Sequence, residues 1–315
     1  MYLLWLALIL LGVCLIVWGA ELFAEHLAVA AVRLRLSAFA LALLLAGAEP
    51  EELATAVTAS LHEVPAIALG DVIGANIAIC LVALGIGAVT APLPFGKGVM
   101  PYACAGLPLG IMASYIMWDG AVSRAEGLLL VALYIMFVAV IWTWERKPPA
   151  LGETEELKEA ETKANSPVSK ELGLVLLGLL AMVLGSIALV EGVRQITNVE
   201  ETQTQLSLSV VGFATAFELV VLAWSSARRG AVEVAIAGVV GSFAYNVTMT
   251  LGTAAIARPL QIIDARLLHL PLVIMVGCLA ISIMLAVPKL VLDRRAGIIL
   301  LSLYPLAVIA IFLPP

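Results

Sequence analysis

Charge is scarce in this chain. Only 13% of its 315 residues are Asp, Glu, Lys or Arg, against 63% hydrophobic, where a soluble domain carries about 25% charged residues. That excludes an ordinary water-soluble globule. Cysteine and histidine are also few. Cys14, Cys80, Cys104 and Cys278 all fall in apolar segments, with no CxxC or Cys/His spacing, so neither a disulfide framework nor a zinc site is indicated. His26, His62 and His269 are scattered near segment ends, where interfacial hydrogen bonding is the default reading. There is no phosphate loop, no nucleophile–base constellation and no basic-aromatic patch, so the residues point to no enzyme and no nucleic-acid partner.

What is present is apolar sequence in lengths that span a bilayer. Windows of about 20 residues predict ten helices, at 2–30, 37–60, 66–91, 99–118, 125–144, 171–193, 205–227, 231–256, 266–287 and 296–313. The first carries Glu21 and Glu25 and has no small-residue cleavage site, so it reads as a retained helix rather than a signal peptide. Most of the tryptophans, Trp5, Trp18, Trp118, Trp142 and Trp144 among them, fall near helix ends as an aromatic belt. The one long polar stretch, 145–170, has no apolar face and reads as a linker between a first unit, 1–144, and a second, 171–315. If that linker is cytoplasmic, alternate loops put all basic residues inside except Arg124, Arg194, Arg258 and Arg266. This positive-inside pattern puts both termini outside a cell (inner) membrane. With five helices per unit, the second enters from the opposite side. The expected fold is all-α and integral to the membrane, with ten transmembrane helices as two inverted five-helix repeats.

Identities recur at a spacing of 166: Gly12/Gly178, Gly19/Gly185, Glu25/Glu191, Glu52/Glu218 and Leu53/Leu219. One helix later the spacing slips to 167, in Ala68/Ala235, Val72/Val239 and Gly74/Gly241. An ionisable side chain at membrane depth costs about 3 kcal/mol or more, so Glu52 and Glu218 read as functional. Glu25 and Glu191 lie toward helix ends and read as structural or vestibular. Pro50 and the nearby glycines interrupt helical hydrogen bonding and free carbonyls to become cation ligands. Glu49, three residues before Glu52, shares its face in a continuous helix. Three carboxylates, Glu49, Glu52 and Glu218, then suit a hard divalent cation. Glu51 points elsewhere, lining an access path or capping a helix break, and Asp71 serves either the site or helix packing.

The segments Gly47-Ala48-Glu49-Pro50-Glu51-Glu52-Leu53 with Gly70-Asp71-Val72-Ile73-Gly74-Ala75-Asn76, and Phe213-Ala214-Thr215-Ala216-Phe217-Glu218-Leu219 with Gly238 through Asn246, resemble the paired alpha-repeats of the calcium/cation antiporter superfamily. That superfamily holds the sodium/calcium and proton/calcium exchangers. Its motifs read roughly G-T-S-x-P-E-L, then G-N-x-x-G-S-N. The resemblance implies a secondary antiporter exporting Ca²⁺ in exchange for Na⁺ or H⁺, with no cofactor. Its partners are the lipid bilayer and small cations, with no obligatory protein partner evident. By motif position, Glu52 and Glu218 become the central ligands, Thr215 and Ser242 match motif hydroxyls, Asn76 matches the motif asparagine, and Asn246 takes a later polar-ligand position. Helices one and six are the moving gate in that family.

The motifs also depart from the family. Ala48 and Glu49 stand where Thr and Ser are expected, Ala75 replaces Ser, Asp71 replaces Asn, Ile79 falls where a second polar ligand is common, and Phe213, Phe217 and Phe243 replace Gly, Pro and Asn. Hydroxyls suited to sodium are thinned and carboxylates added, which favours proton coupling without deciding it. The alternatives are a cation channel, an exchanger for another divalent cation, or a membrane metalloenzyme.

Overall fold

The computed structural model describes residues 2–33, 49–96, 99–145, 167–229 and 232–313. They are almost wholly helical. The helices are α1 (Tyr2–Arg33), α2 (Pro50–Leu61), α3 (Pro65–Ala78), α4 (Leu84–Thr90), α5 (Met100–Ile116), α6 (Arg124–Glu145) and α7 (Val168–Ile196). They continue as α8 (Glu200–Leu206), α9 (Gly212–Thr215), α10 (Phe217–Arg229), α11 (Val232–Tyr245), α12 (Leu251–Ala257), α13 (Arg266–Ala286) and α14 (Arg294–Ile311). Local sequence explains many of the ends. Proline opens α2 and α3, where its missing N–H costs nothing. Ser123 and Glu126 form a reciprocal cap at the start of α6. Asp293 caps α14 through the backbone N–H groups of Arg295 and Ala296.

Among the described residues, eight helices are long and apolar enough to cross a membrane, or nine if the pair Glu200–Thr215 and Phe217–Arg228, bent by 41°, counts as one span. The chain is a multi-pass membrane protein. The second predicted helix, 37–60, is represented only by α2, because residues 34–48 lie outside the described residues. Most of the predicted linker, 146–166, lies outside them too. Helix α7 begins at Val168, three residues before the predicted start of the sixth helix.

Three π-helical turns interrupt the spans: Ile79–Ala83 joins α3 to α4, Ser207–Val211 joins α8 to α9, and Asn246–Thr250 joins α11 to α12. The first and third are 167 residues apart at both ends, the same slip seen in the sequence. Two short antiparallel strand pairs close the ends of the bundle. Strand β1 (Leu93–Pro94) pairs with β4 (Val291–Leu292), and β2 (Ala121–Val122) with β3 (Leu260–Gln261). Each pair joins residues from before the linker to residues after it.

The core lies around α3, the most buried span, with α8 through α9 laid against it. The approach is backbone to backbone. A Cβ on Gly212 would stand 2.4 Å from the Ala75 nitrogen, and one on Gly74 2.3 Å from the Leu208 carbonyl oxygen. Only glycine permits this crossing. Helices α1 and α7 cross in the same manner. A Cβ on Gly12 would meet the Gly185 carbonyl oxygen at 2.7 Å, and one on Gly19 the Gly178 oxygen at 2.7 Å.

Candidate cation site

The interior polar groups gather where helices begin or break. Glu51 and Glu52 occupy the first turn of α2, and Glu218 the first turn of α10, immediately after the break at Ala216. Both helix N-termini therefore direct unpaired N–H groups and positive dipole ends toward carboxylates. The two starts, Pro50 and Phe217, lie 167 residues apart, within one residue of the 166 spacing of Glu52 and Glu218.

Glu49 departs from its expected place. The helix starts at Pro50, leaving Glu49 outside it with φ −102 and ψ 81, so it does not share a continuous helical face with Glu52. Its carboxylate instead reaches α11, where Ser242 Oγ donates to Glu49 Oε1 at 2.7 Å. Glu51 lies in the first turn of α2, at the helix start, and is 2% exposed.

Asp71, fully buried on α3, accepts a 2.8 Å hydrogen bond from Thr215 Oγ1, and its Oδ2 has no hydrogen-bond partner. Asn76 donates from Nδ2 to the Val72 carbonyl at 3.0 Å, which leaves its Oδ1 unpartnered. Asn246, at the head of its π-turn, accepts at Oδ1 from Thr250 at 3.4 Å. The Asn246 amide lies near Glu52. Both Glu52 oxygens and Asn246 Nδ2 are nevertheless buried without a hydrogen-bond partner. Glu218 is half-buried.

Three features of the chamber carry no signal in the sequence. Tyr134 on α6 and Tyr245 on α11 meet edge to face, with ring centroids 5.3 Å apart, within electrostatic reach of Glu49. Thr55, one turn beyond Glu52, contacts Ser186 of α7 at 3.2 Å and so couples the chamber wall to the α1–α7 pair. Ser207 Oγ, in the π-turn against Gly70, is buried and unpartnered. By contrast Glu191 stays local, taking a 2.5 Å hydrogen bond from Gln195 and lying 3.7 Å from Arg194.

Among the described residues no Lys or Arg is buried, whereas Glu49, Glu51, Glu52 and Asp71 all are. A cluster of buried carboxyls without a buried base holds its charge only by taking up cations or protons. No group of three or more His, Cys, Asp or Glu side chains among the described residues is close enough to hold a metal ion by itself. The oxygens of Thr215, Ser242, Asn76, Asn246 and the backbone are the remaining donors, and such mixed oxygen sets suit hard cations.

Comparison with known proteins agrees with this chemistry. The family model described as "Sodium/calcium exchanger protein" matches residues 4–143 and 170–313. The "Inner membrane protein YrbG" of Escherichia coli is 24% identical over 268 residues, 81% of each chain. The "Putative antiporter CaxA" of Alkalimonas amylolytica is 24% identical over 261 residues, 82% of each. A solved structure of the sodium-calcium exchanger NCX_Mj, soaked with Na⁺ and Sr²⁺, superposes with a TM-score of 0.65 at 21% identity, covering 100% of both chains. That likeness establishes the fold. The family model omits only the two chain ends and residues 144–169. A transporter and not an enzyme, this chain belongs to the sodium/calcium exchanger family.

Proposed function

We propose that the protein exports Ca²⁺ from the cell in exchange for Na⁺ or H⁺, by alternating access around a chamber centred on Glu52 and Glu218. The observation that carries this reading is the group of four buried carboxyls, Glu49, Glu51, Glu52 and Asp71, with no buried Lys or Arg among the described residues. In this reading Glu52, Glu218 and Glu49 supply the charge that binds Ca²⁺. Thr215, Ser242, Asn246, Asn76 and Asp71 supply further oxygens or hold the carboxylates in place. Leaving such charges buried and uncompensated costs several kcal/mol. The empty, unneutralised chamber therefore does not reorient, and flux in one direction requires a counter-ion in the other.

The expected architecture is two inverted five-helix units, 1–144 and 171–315, joined by the 145–170 linker, with both termini outside the inner membrane. The recurrence of the π-turns at a spacing of 167 supports it. Glu49 and Glu51 add carboxylates where the family has hydroxyl and proline, which favours H⁺ as counter-ion. The test is ⁴⁵Ca²⁺ uptake by proteoliposomes loaded with Na⁺ or made acid inside, for wild type, Glu52→Gln and Glu218→Gln. Uptake driven only by the proton gradient assigns H⁺, and uptake driven only by Na⁺ assigns Na⁺. Both variants are expected to lose at least about 99% of the rate, which corresponds to roughly 2.7 kcal/mol. Normal transport by both variants, or a conductance without exchange, overturns the proposal.

A further inference from the structure

Helix α11 brings chamber groups together along one short stretch. Ser242 donates to Glu49, Tyr245 meets Tyr134 of α6, and Asn246 heads the π-turn that follows. What sets the rotation that aims Ser242 at Glu49 lies on a different face of the helix.

Phe243 follows Ser242 directly and so projects about 100° around the helix from it. The side chain is fully buried. Its ring fills a notch in α5 left by two glycines one turn apart, on the same helix face. A Cβ on Gly110 would stand 2.8 Å from Phe243 Cε1 and 3.0 Å from Cζ, and one on Gly106 3.7 Å from Cδ1. Helix α13 closes the notch, with Val276 Cγ2 at 3.8 Å from the Gly110 Cβ position and Leu279 Cδ2 at 3.4 Å from that of Gly106.

The position 167 residues before Phe243 is Asn76, whose amide donates to the Val72 carbonyl. The same position is thus polar on α3 and apolar on α11. A phenyl ring offers a hard cation no oxygen, so Phe243 acts through what it holds in place. Carbon atoms in contact sit about 3.5–4.0 Å apart. A methyl group at Gly110 would therefore drive the ring back by roughly 1 Å. In a close-packed interior that displacement passes to the backbone rather than into empty space. Ser242 is the next residue, and binding groups tolerate only about 0.5 Å or 10–20° of misplacement.

We propose that Phe243, seated between Gly106 and Gly110, is a positioning residue of the cation chamber: it locks the rotation of α11 so that Ser242 reaches Glu49. This rests on the exchanger reading above.

The test is a double-mutant cycle on ⁴⁵Ca²⁺ exchange in proteoliposomes, reading half-saturation and maximal rate separately. Gly110→Ala is expected to raise the half-saturating Ca²⁺ concentration about fivefold, with the maximal rate within about twofold of wild type. In a Ser242→Ala background the same change is expected to add nothing, because the hydrogen bond it disturbs is already gone. Phe243→Leu shortens the knob, and Gly110→Ala/Phe243→Leu is expected to return to within about twofold of wild type. Phe243→Leu alone, which underfills the notch, serves as the second perturbation and is expected to raise half-saturation about threefold, again only where Ser242 is present. Effects that multiply with Ser242→Ala overturn the proposal, as does wild-type half-saturation in both Gly110→Ala and Phe243→Leu. If wild type itself exchanges no Ca²⁺ the exchanger reading falls, and the same cycle read as Tm in detergent decides the positioning separately. A Ser242→Ala drop in Tm that shrinks in the Gly110→Ala background supports it, and an equal drop in both backgrounds overturns it.

Discussion

Ser242 and Glu49, 193 residues apart in sequence, are joined by a 2.7 Å hydrogen bond that ties α11 to the start of α2. The serine hydroxyl also contacts the Gly238 carbonyl at 3.1 Å, which fixes its rotamer. Ser242→Ala removes the donor and leaves the carboxylate to reorient. Hydrogen bonds to charged groups are worth about 1.5–3 kcal/mol, so the Ca²⁺ concentration for half-maximal exchange is expected to rise about tenfold. Initial rates over a Ca²⁺ series check this, and an unchanged half-saturation refutes it.

Asp71 depends on Thr215 in a comparable way, but with a buried second oxygen that has no partner. Thr215→Val keeps the shape and deletes the only donor. The expected cost is about 1–3 kcal/mol, read as a lower Tm in detergent, whereas Thr215→Ser retains most of the stability.

Glycine packing between α1 and α7 yields a paired comparison. At Gly185 a Cβ would stand 2.7 Å from the Gly12 carbonyl oxygen, while at Gly173 on the same helix nothing lies within 4 Å. Gly185→Ala is expected to destabilise by about 1–3 kcal/mol through overpacking. Gly173→Ala is expected to be neutral or to stabilise by up to about 1 kcal/mol through helix propensity. Thermal unfolding of the two variants separates a close crossing from a general dislike of alanine.

Asp293 sets a pH dependence outside the membrane. The Lys289 ammonium, 2.9 Å away, and the capped Ala296 N–H hold its carboxyl below the usual carboxylate range. A depressed folded-state pKa adds stability above the unfolded value, and that stability is lost as pH falls through the folded one. Asp293→Ala should therefore lower Tm modestly near neutral pH, with the gap to wild type closing as pH falls below the ordinary aspartate range. A gap that persists in acid shows that the cap acts without its charge.

Much of the frame was legible in the residues. Apolar runs placed eight of the ten predicted spans to within a few residues, because a bilayer-length run admits little besides a helix. Pro50 was read only as an interruption within the 37–60 helix, and α2 begins there. The corresponding break at Ala216 was hidden, since alanine is the strongest helix former. Glu49 was misplaced for a related reason: the i,i+3 argument requires a helix that Pro50 has already ended. The π-turns, the Tyr134–Tyr245 wall and the Thr55–Ser186 contact depend on which helices meet. A single chain read along its length does not encode that locally.

The strand pairs described above bear on the order in which the protein can be completed. Leu93 finds its partner in Leu292, and Val122 in Leu260. During synthesis the segment 93–94 emerges about 200 residues before the edge it pairs with, tens of seconds earlier at about 5–20 residues per second. The nascent first unit therefore waits in the bilayer with open strand edges and with Glu49 lacking its serine. Assembly of the chamber is a late event that requires residues far apart in the chain, Glu49 and Ser242 among them.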